Sequence, residues 1–113
     1  MEANLPKSEY IRKVLDAYRR MPGATGTIRR HDRILAAALF DRGVPLTAVE
    51  NALVLAAARR IFRRPDAPTL QPVRSLHYLS PVIEEVLTLF VSQDYFLYLQ
   101  FKIDGALNRK QTL

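Results

Sequence analysis

The chain has 113 residues, 49% hydrophobic and 25% charged, with a net charge of +6 and no cysteine. That length suits one hydrophobic core, and the missing cysteines exclude a disulfide framework and any thiolate metal site, which fits a reducing compartment such as the cytoplasm. The start MEANLPKSEY lacks a basic-then-apolar signal pattern and no run approaches the ~18 apolar residues of a membrane span, so a soluble cytoplasmic protein without a membrane partner is expected.

Ser8 is placed to cap a first helix running to about Met21, where Pro22-Gly23 stops it. Tyr10, Ile11, Val14, Leu15, Tyr18 and Met21 recur at helical spacing and form one apolar stripe, leaving Arg12, Lys13, Asp16, Arg19 and Arg20 toward water. The glycine-rich PGATG follows, and Thr27 is a second candidate cap, for a helix from Ile28 to Arg42 that Gly43 ends.

The second helix opens with Arg29, Arg30 and Arg33, although the macrodipole already makes that end positive. Glycine-loop amides, the dipole and these guanidinium groups would together hold an anion, but the nucleotide P-loop spacing is absent. The competing reading is that Asp32 and nearby acids neutralise the arginines.

ALFDRGVPLTAVENAL (residues 38–53) has the rhythm of a helix-turn-helix corner, with Leu39 where such turns usually need a small residue. Only Leu46, Thr47, Glu50 and Asn51 could face bases, a poor reading set, so a plain helical corner is preferred to major-groove recognition. Leu46 to Arg64 is nearly all apolar in its middle, which predicts the central helix of a bundle, and ends in Arg59, Arg60, Arg63 and Arg64. If the second and third helices fold back as a hairpin, the two arginine clusters merge, with Arg19 and Arg20 extending the patch. Arginines at a helix C-terminus also satisfy the dipole, so the second cluster has a structural explanation too.

RRPDAPTLQP is an extended, proline-rich connector. Residues 73–79 are expected to form a helical turn or two, and Ser80-Pro81 to start a helix to about Phe90. That helix should bury Val82, Ile83, Val86, Leu87 and Phe90 and expose Glu84 and Glu85. Ser92 is a cap for a last helix from Gln93 to about Leu107, with Phe96, Leu99, Ile103 and Leu107 inward and fraying from Asn108. A strand over Tyr95–Ile103 is the alternative. Tyr95, Phe96, Tyr98 and Phe101 crowd more aromatic surface into this segment than one helix face holds. The surplus is core, an oligomer contact, or a stacking platform for unpaired bases at Tyr95, Tyr98 and Phe101.

His31 and His77 are the only histidines and have no second ligand at metal spacing, so they read as packing or hydrogen-bonding residues. No catalytic nucleophile, paired carboxylates or cofactor motif is found, and a non-enzymatic protein without a cofactor or metal is expected.

The stretches ALFDRGVPLTAVENALVLAAARRIFRR, PVRSLHYLSPVIEEVL and SQDYFLYLQFKI resemble short bacterial helical proteins encoded among mobile elements, and the helical tail segments of plasmid-type replication initiators. The resemblance covers about residues 8–107 and implies nucleic-acid handling. It brings no catalytic residue, winged-helix hairpin or nickase tyrosine with its histidine pair.

Residues 1–74 carry 14 Lys and Arg against 7 Asp and Glu, whereas residues 75–113 carry 3 against 4. Thirteen of the 17 basic residues are arginine, whose planar fork pairs phosphate bidentately. A solvated surface in an arginine-rich, GC-rich genome is the plainer explanation. The expectation is a single-domain, all-α bundle of about five helices: a basic three-helix half (8–64), a connector (65–81) and an apolar, aromatic half (82–107). It is expected to contact DNA or RNA phosphates through Arg19, Arg20, Arg29, Arg30, Arg33, Arg59, Arg60, Arg63 and Arg64, in the service of a mobile element, replication or nucleic-acid-guided defence. The alternatives are a small subunit of a CRISPR-like ribonucleoprotein complex, and a homodimeric module for an acidic protein partner.

Overall fold

The longest apolar run in the chain becomes its innermost helix. In a computed structural model describing residues 5–89 and 91–111, the elements are α1 (Lys7–Arg20), α2 (Arg30–Asp41), α3 (Leu46–Ile61), a 3₁₀ turn (Leu76–Leu79), α4 (Ser80–Thr88) and α5 (Gln93–Gln111). The chain folds as a single all-α bundle, and the one β-bridge among the described residues joins Ala24 to Val73. Along α3, Leu46, Val49, Ala52, Leu53, Leu55 and Ala56 to Ala58 are buried, against α1, α4, α5 and the 3₁₀ turn. Small alanines let these neighbours approach from several sides, as a helix with only a narrow solvated strip at Thr47 and Glu50 requires.

α1 and α2 form an antiparallel pair. Lys7 at the start of α1 meets Asp41 at the end of α2 at 2.9 Å, and the Tyr10 and Phe40 rings pack edge-on at 5.3 Å. Of the expected stripe, Tyr10, Val14, Leu15, Tyr18 and Met21 are buried and Ile11 is half-buried against the core. α2 then ends in a Schellman motif: Val44 N–H donates to Leu39 O (3.1 Å) and Gly43 N–H to Phe40 O (2.9 Å). Gly43 takes φ +76°, a left-handed conformation that glycine adopts without a Cβ clash. The buried Val44 carbonyl accepts the Tyr10 hydroxyl at 2.8 Å, fixing the corner to α1.

Several local expectations are corrected. Pro6 and Arg29 occupy the N-cap positions of α1 and α2, in place of Ser8 and Thr27. α3 stops at Ile61, so Arg63 and Arg64 already belong to the connector. Leu79 is the N-cap of α4, one residue before Ser80. Leu87 is exposed, because Ile83 and Val86 take the inward positions of this short helix; Phe90 lies outside the described residues. The segment read as a possible strand is helical, and α5 continues past Asn108 to Gln111. Its inward line is as expected, with Phe96 and Ile103 buried and Leu99 and Leu107 packed against the core.

The second and third helices do not form a hairpin. α2 packs on α1 and the 3₁₀ turn and shares almost no contact with α3, because the corner at Gly43–Pro45 sends α3 across the bundle. The route by which the two arginine clusters were to merge is therefore absent.

Candidate nucleic-acid interface

Asp32 organises the first arginine cluster from inside. It is fully buried in the third position of α2, where its Oδ2 accepts the Arg29 N–H at 2.9 Å, the return half of a capping box. Its Oδ1 accepts the Leu76 N–H at 2.8 Å and the Ser75 hydroxyl at 3.4 Å, which pins the 3₁₀ turn to the head of α2. A carboxylate at a helix N-terminus is favoured by the macrodipole and by charge-assisted bonds to amides. It also fills the position where an external anion was expected. The preceding loop is spent as well, since Thr25 N–H donates to Val73 O (3.0 Å) and Val73 N–H to Gly23 O (2.7 Å).

Asp32 spends its hydrogen bonds on backbone amides and the Ser75 hydroxyl and forms no ion pair with a guanidinium group among the described residues. Arg30 and Arg33 are exposed, and their side chains have no ion-pair or hydrogen-bond partner among the described residues. Arg33 joins Arg12 and Arg19 around a shallow groove of about 340 Å³ between α1 and α2, also lined by Ser8, Ile11, Leu15 and Asp16. Asp16 lies 3.3 Å from Arg12 and 3.7 Å from Arg19, and Glu9 pairs with Arg12, so two carboxylates there face three guanidinium groups. The Glu9 hydrogen bond holds the Arg12 guanidinium above its ordinary pKa, so it stays charged. Beneath the head of α2, burial pushes the Tyr18 phenol up; Asp32 adds to this and Arg29 opposes it.

The second cluster is engaged within the protein. Arg59 Nη2 lies 2.8 and 2.7 Å from the two carboxylate oxygens of Glu85. Arg60 donates to Gln71 O at 2.8 Å and stands 5.9 Å from the Tyr78 ring centroid. Arg63 donates to Pro68 O at 2.6 Å, and Arg64 pairs with Asp66 at 3.1 Å. The Arg59 contact clamps α4 and the Arg60 contact holds the connector against the end of α3, whereas those of Arg63 and Arg64 lie within the connector. Glu84 is likewise paired, to Arg42 at 2.7 Å, and that hydrogen bond lowers its carboxyl below the usual range. Arg20 turns to the carbonyl of Asp16 at 3.2 Å and borders a separate groove between α1, α3 and α5.

Two of the four residues considered for base reading on α3 are engaged within the protein, while Thr47 and Glu50 remain exposed. Leu46 is buried, and Asn51 exchanges amide hydrogen bonds with Gln93 of α5 (3.0 and 3.3 Å). His31 and His77 place their rings 5.6 Å apart, with His31 Nε2 3.6 Å from Asp32 Oδ1. Among the described residues no group of three or more metal-binding side chains converges, and no helix is long and apolar enough to cross a membrane.

Tyr95, Tyr98 and Phe101 are exposed, so the surplus aromatic surface is not core. Tyr95 shares a surface pocket with Arg59, Leu89 and Val91, on α3 and the α4–α5 side of the bundle rather than at the α1–α2 groove. Sequence reading missed Arg12 as a member of the basic face, although the seven-residue interval from Arg12 to Arg19, two helical turns, was a usable signal for it. No protein-family model, curated protein or solved structure matches this chain.

Proposed function

We propose that this protein binds nucleic acid without catalysing a reaction on it, through phosphate contacts made by Arg30 and Arg33 with Arg12, Arg19 and Arg29 around them. The carrying observation is that Asp32, the acid best placed to neutralise α2, is buried and bonded to backbone amides, while Arg30 and Arg33 stay exposed without a carboxylate. Arginines held at the positive end of a helix serve little purpose for the fold, and phosphate oxygens are the ligand their forked donors fit. The mode is sequence-independent backbone contact, in keeping with an accessory role in replication, mobility or defence against nucleic acids.

The test is fluorescence anisotropy with mixed-sequence duplex DNA, single-stranded DNA and RNA over a range of salt concentrations. Affinity should fall linearly on a log–log plot, and Arg30→Glu/Arg33→Glu should reduce the slope by about two, one for each lost phosphate contact. Charge reversal at Arg59 and Arg63 is the poorer probe, because it also breaks the Glu85 and Pro68 contacts. No binding to any of the three at low salt overturns the reading. A second reading, a small subunit of a larger nucleoprotein complex, is favoured by the exposed aromatic face of α5, with Phe101 74% exposed.

A further inference from the structure

α5 buries one face against α3 through Phe96 and Ile103, and on the other it presents Tyr95, Tyr98 and Phe101 to solvent, with Leu89 and Val91 beside Tyr95. Exposed apolar residues are common singly, but a continuous strip along one helix marks a docking surface. At roughly 200 Å² for a large side chain, these partly exposed residues leave on the order of 500 Å² open per copy, so a symmetric pair covering them all would bury about 1,000 Å², the least that a specific interface needs.

The order of residues on this face says what covers it. About Tyr98 the strip is self-complementary: Tyr95 and Phe101 lie three residues to either side, and Asp94 and Lys102 lie four to either side. A two-fold axis beside Tyr98, perpendicular to α5, reverses the helix direction in the second copy and sets each of these residues at the level of its mate. Tyr98 then meets Tyr98 of the second copy, Tyr95 meets its Phe101, and Asp94 meets its Lys102. Both charged residues are exposed and make no ion pair among the described residues. A parallel pairing would instead set acid on acid and base on base. The three- and four-residue spacing is that of helices crossing at about 20°, and Gly105, where an added Cβ meets nothing within 4 Å, leaves room for close approach at one end.

We infer that the outer face of α5 pairs with the same face of a second copy of this chain, antiparallel and centred on Tyr98. The inference is independent of nucleic-acid binding. Sedimentation equilibrium of the full chain tests it: the wild type should sediment at twice 12.9 kDa in the micromolar range. Asp94→Lys and Lys102→Asp, each creating two like-charge contacts per dimer, should weaken association at least about tenfold. The double exchange Asp94→Lys/Lys102→Asp should restore it. Because the chain has no cysteine, Tyr98→Cys should form an intermolecular disulfide on oxidation. A wild type that stays monomeric at about 0.1 mM overturns the inference. A dimer indifferent to both single charge reversals overturns it too, and so does association only with a different protein.

Discussion

Two clusters of arginine, one at the start of α2 and one at the end of α3, look alike in sequence and differ in what they touch. At the end of α3, carboxylates and carbonyls supplied by α4 and the connector meet the guanidinium groups, and the macrodipole favours positive charge. At the start of α2 the dipole opposes positive charge, and the one buried acid, Asp32, is turned inward to backbone amides. The first arrangement stabilises the fold; the second costs it something and leaves Arg30 and Arg33 open. A cationic side chain kept where it is locally unfavourable is better evidence for an external ligand than one already paired.

Asp32→Ala should break this comparison most severely. It strands the Leu76 and Arg29 amides and frees the 3₁₀ turn, so a loss of about 3 kcal/mol in urea denaturation is expected. A loss below about 1 kcal/mol would mean that Asp32 does not tie α2 to the turn.

Gly23→Ala sharpens the other side. Gly23 has φ +91° and its added Cβ would come within 2.6 Å of Arg60 Nε, whereas Gly43, at φ +76°, has nothing within 4 Å. Backbone strain of about 1–2 kcal/mol is common to alanine at either position. Displacing Arg60 from Gln71 O and Tyr78 should make Gly23→Ala the more destabilising by roughly 0.5–1 kcal/mol, and equal melting temperatures would argue against an Arg60 contribution.

The smallest effect carries the opposite sign. Arg30→Glu replaces a cation with an anion in the first turn of α2 and should raise stability by about 0.5 kcal/mol while weakening nucleic-acid binding. If the substitution destabilises the protein instead, Arg30 has an intramolecular role, and the distinction between the clusters fails at that residue.

Five helices were legible because apolar spacing in α1, α4 and α5 and the unbroken apolar run of α3 report burial directly. Helix starts were less legible, since Ser8 and Thr27 are good caps by type but Pro6 and Arg29 hold those positions. The site was legible in part. Local sequence marked both arginine clusters and the aromatic surplus, yet could not say which charges would be matched. The acceptors for Arg59 and Arg60 lie 26 and 11 residues away, and the backbone donors that occupy Asp32 include one 44 residues along the chain.

By itself, the sequence determined an all-helical single domain, the buried α3 and a basic amino-terminal portion, all of which follow from residue type and short-range period. Tertiary structure alone decided that α2 lies on α1 instead of α3, that Asp32 faces inward, and that the aromatic face of α5 remains outside. These outcomes depend on which distant groups the corner at Gly43 and the docked connector bring within hydrogen-bonding and packing range, and both interactions act over a few ångströms of space whatever the separation along the chain.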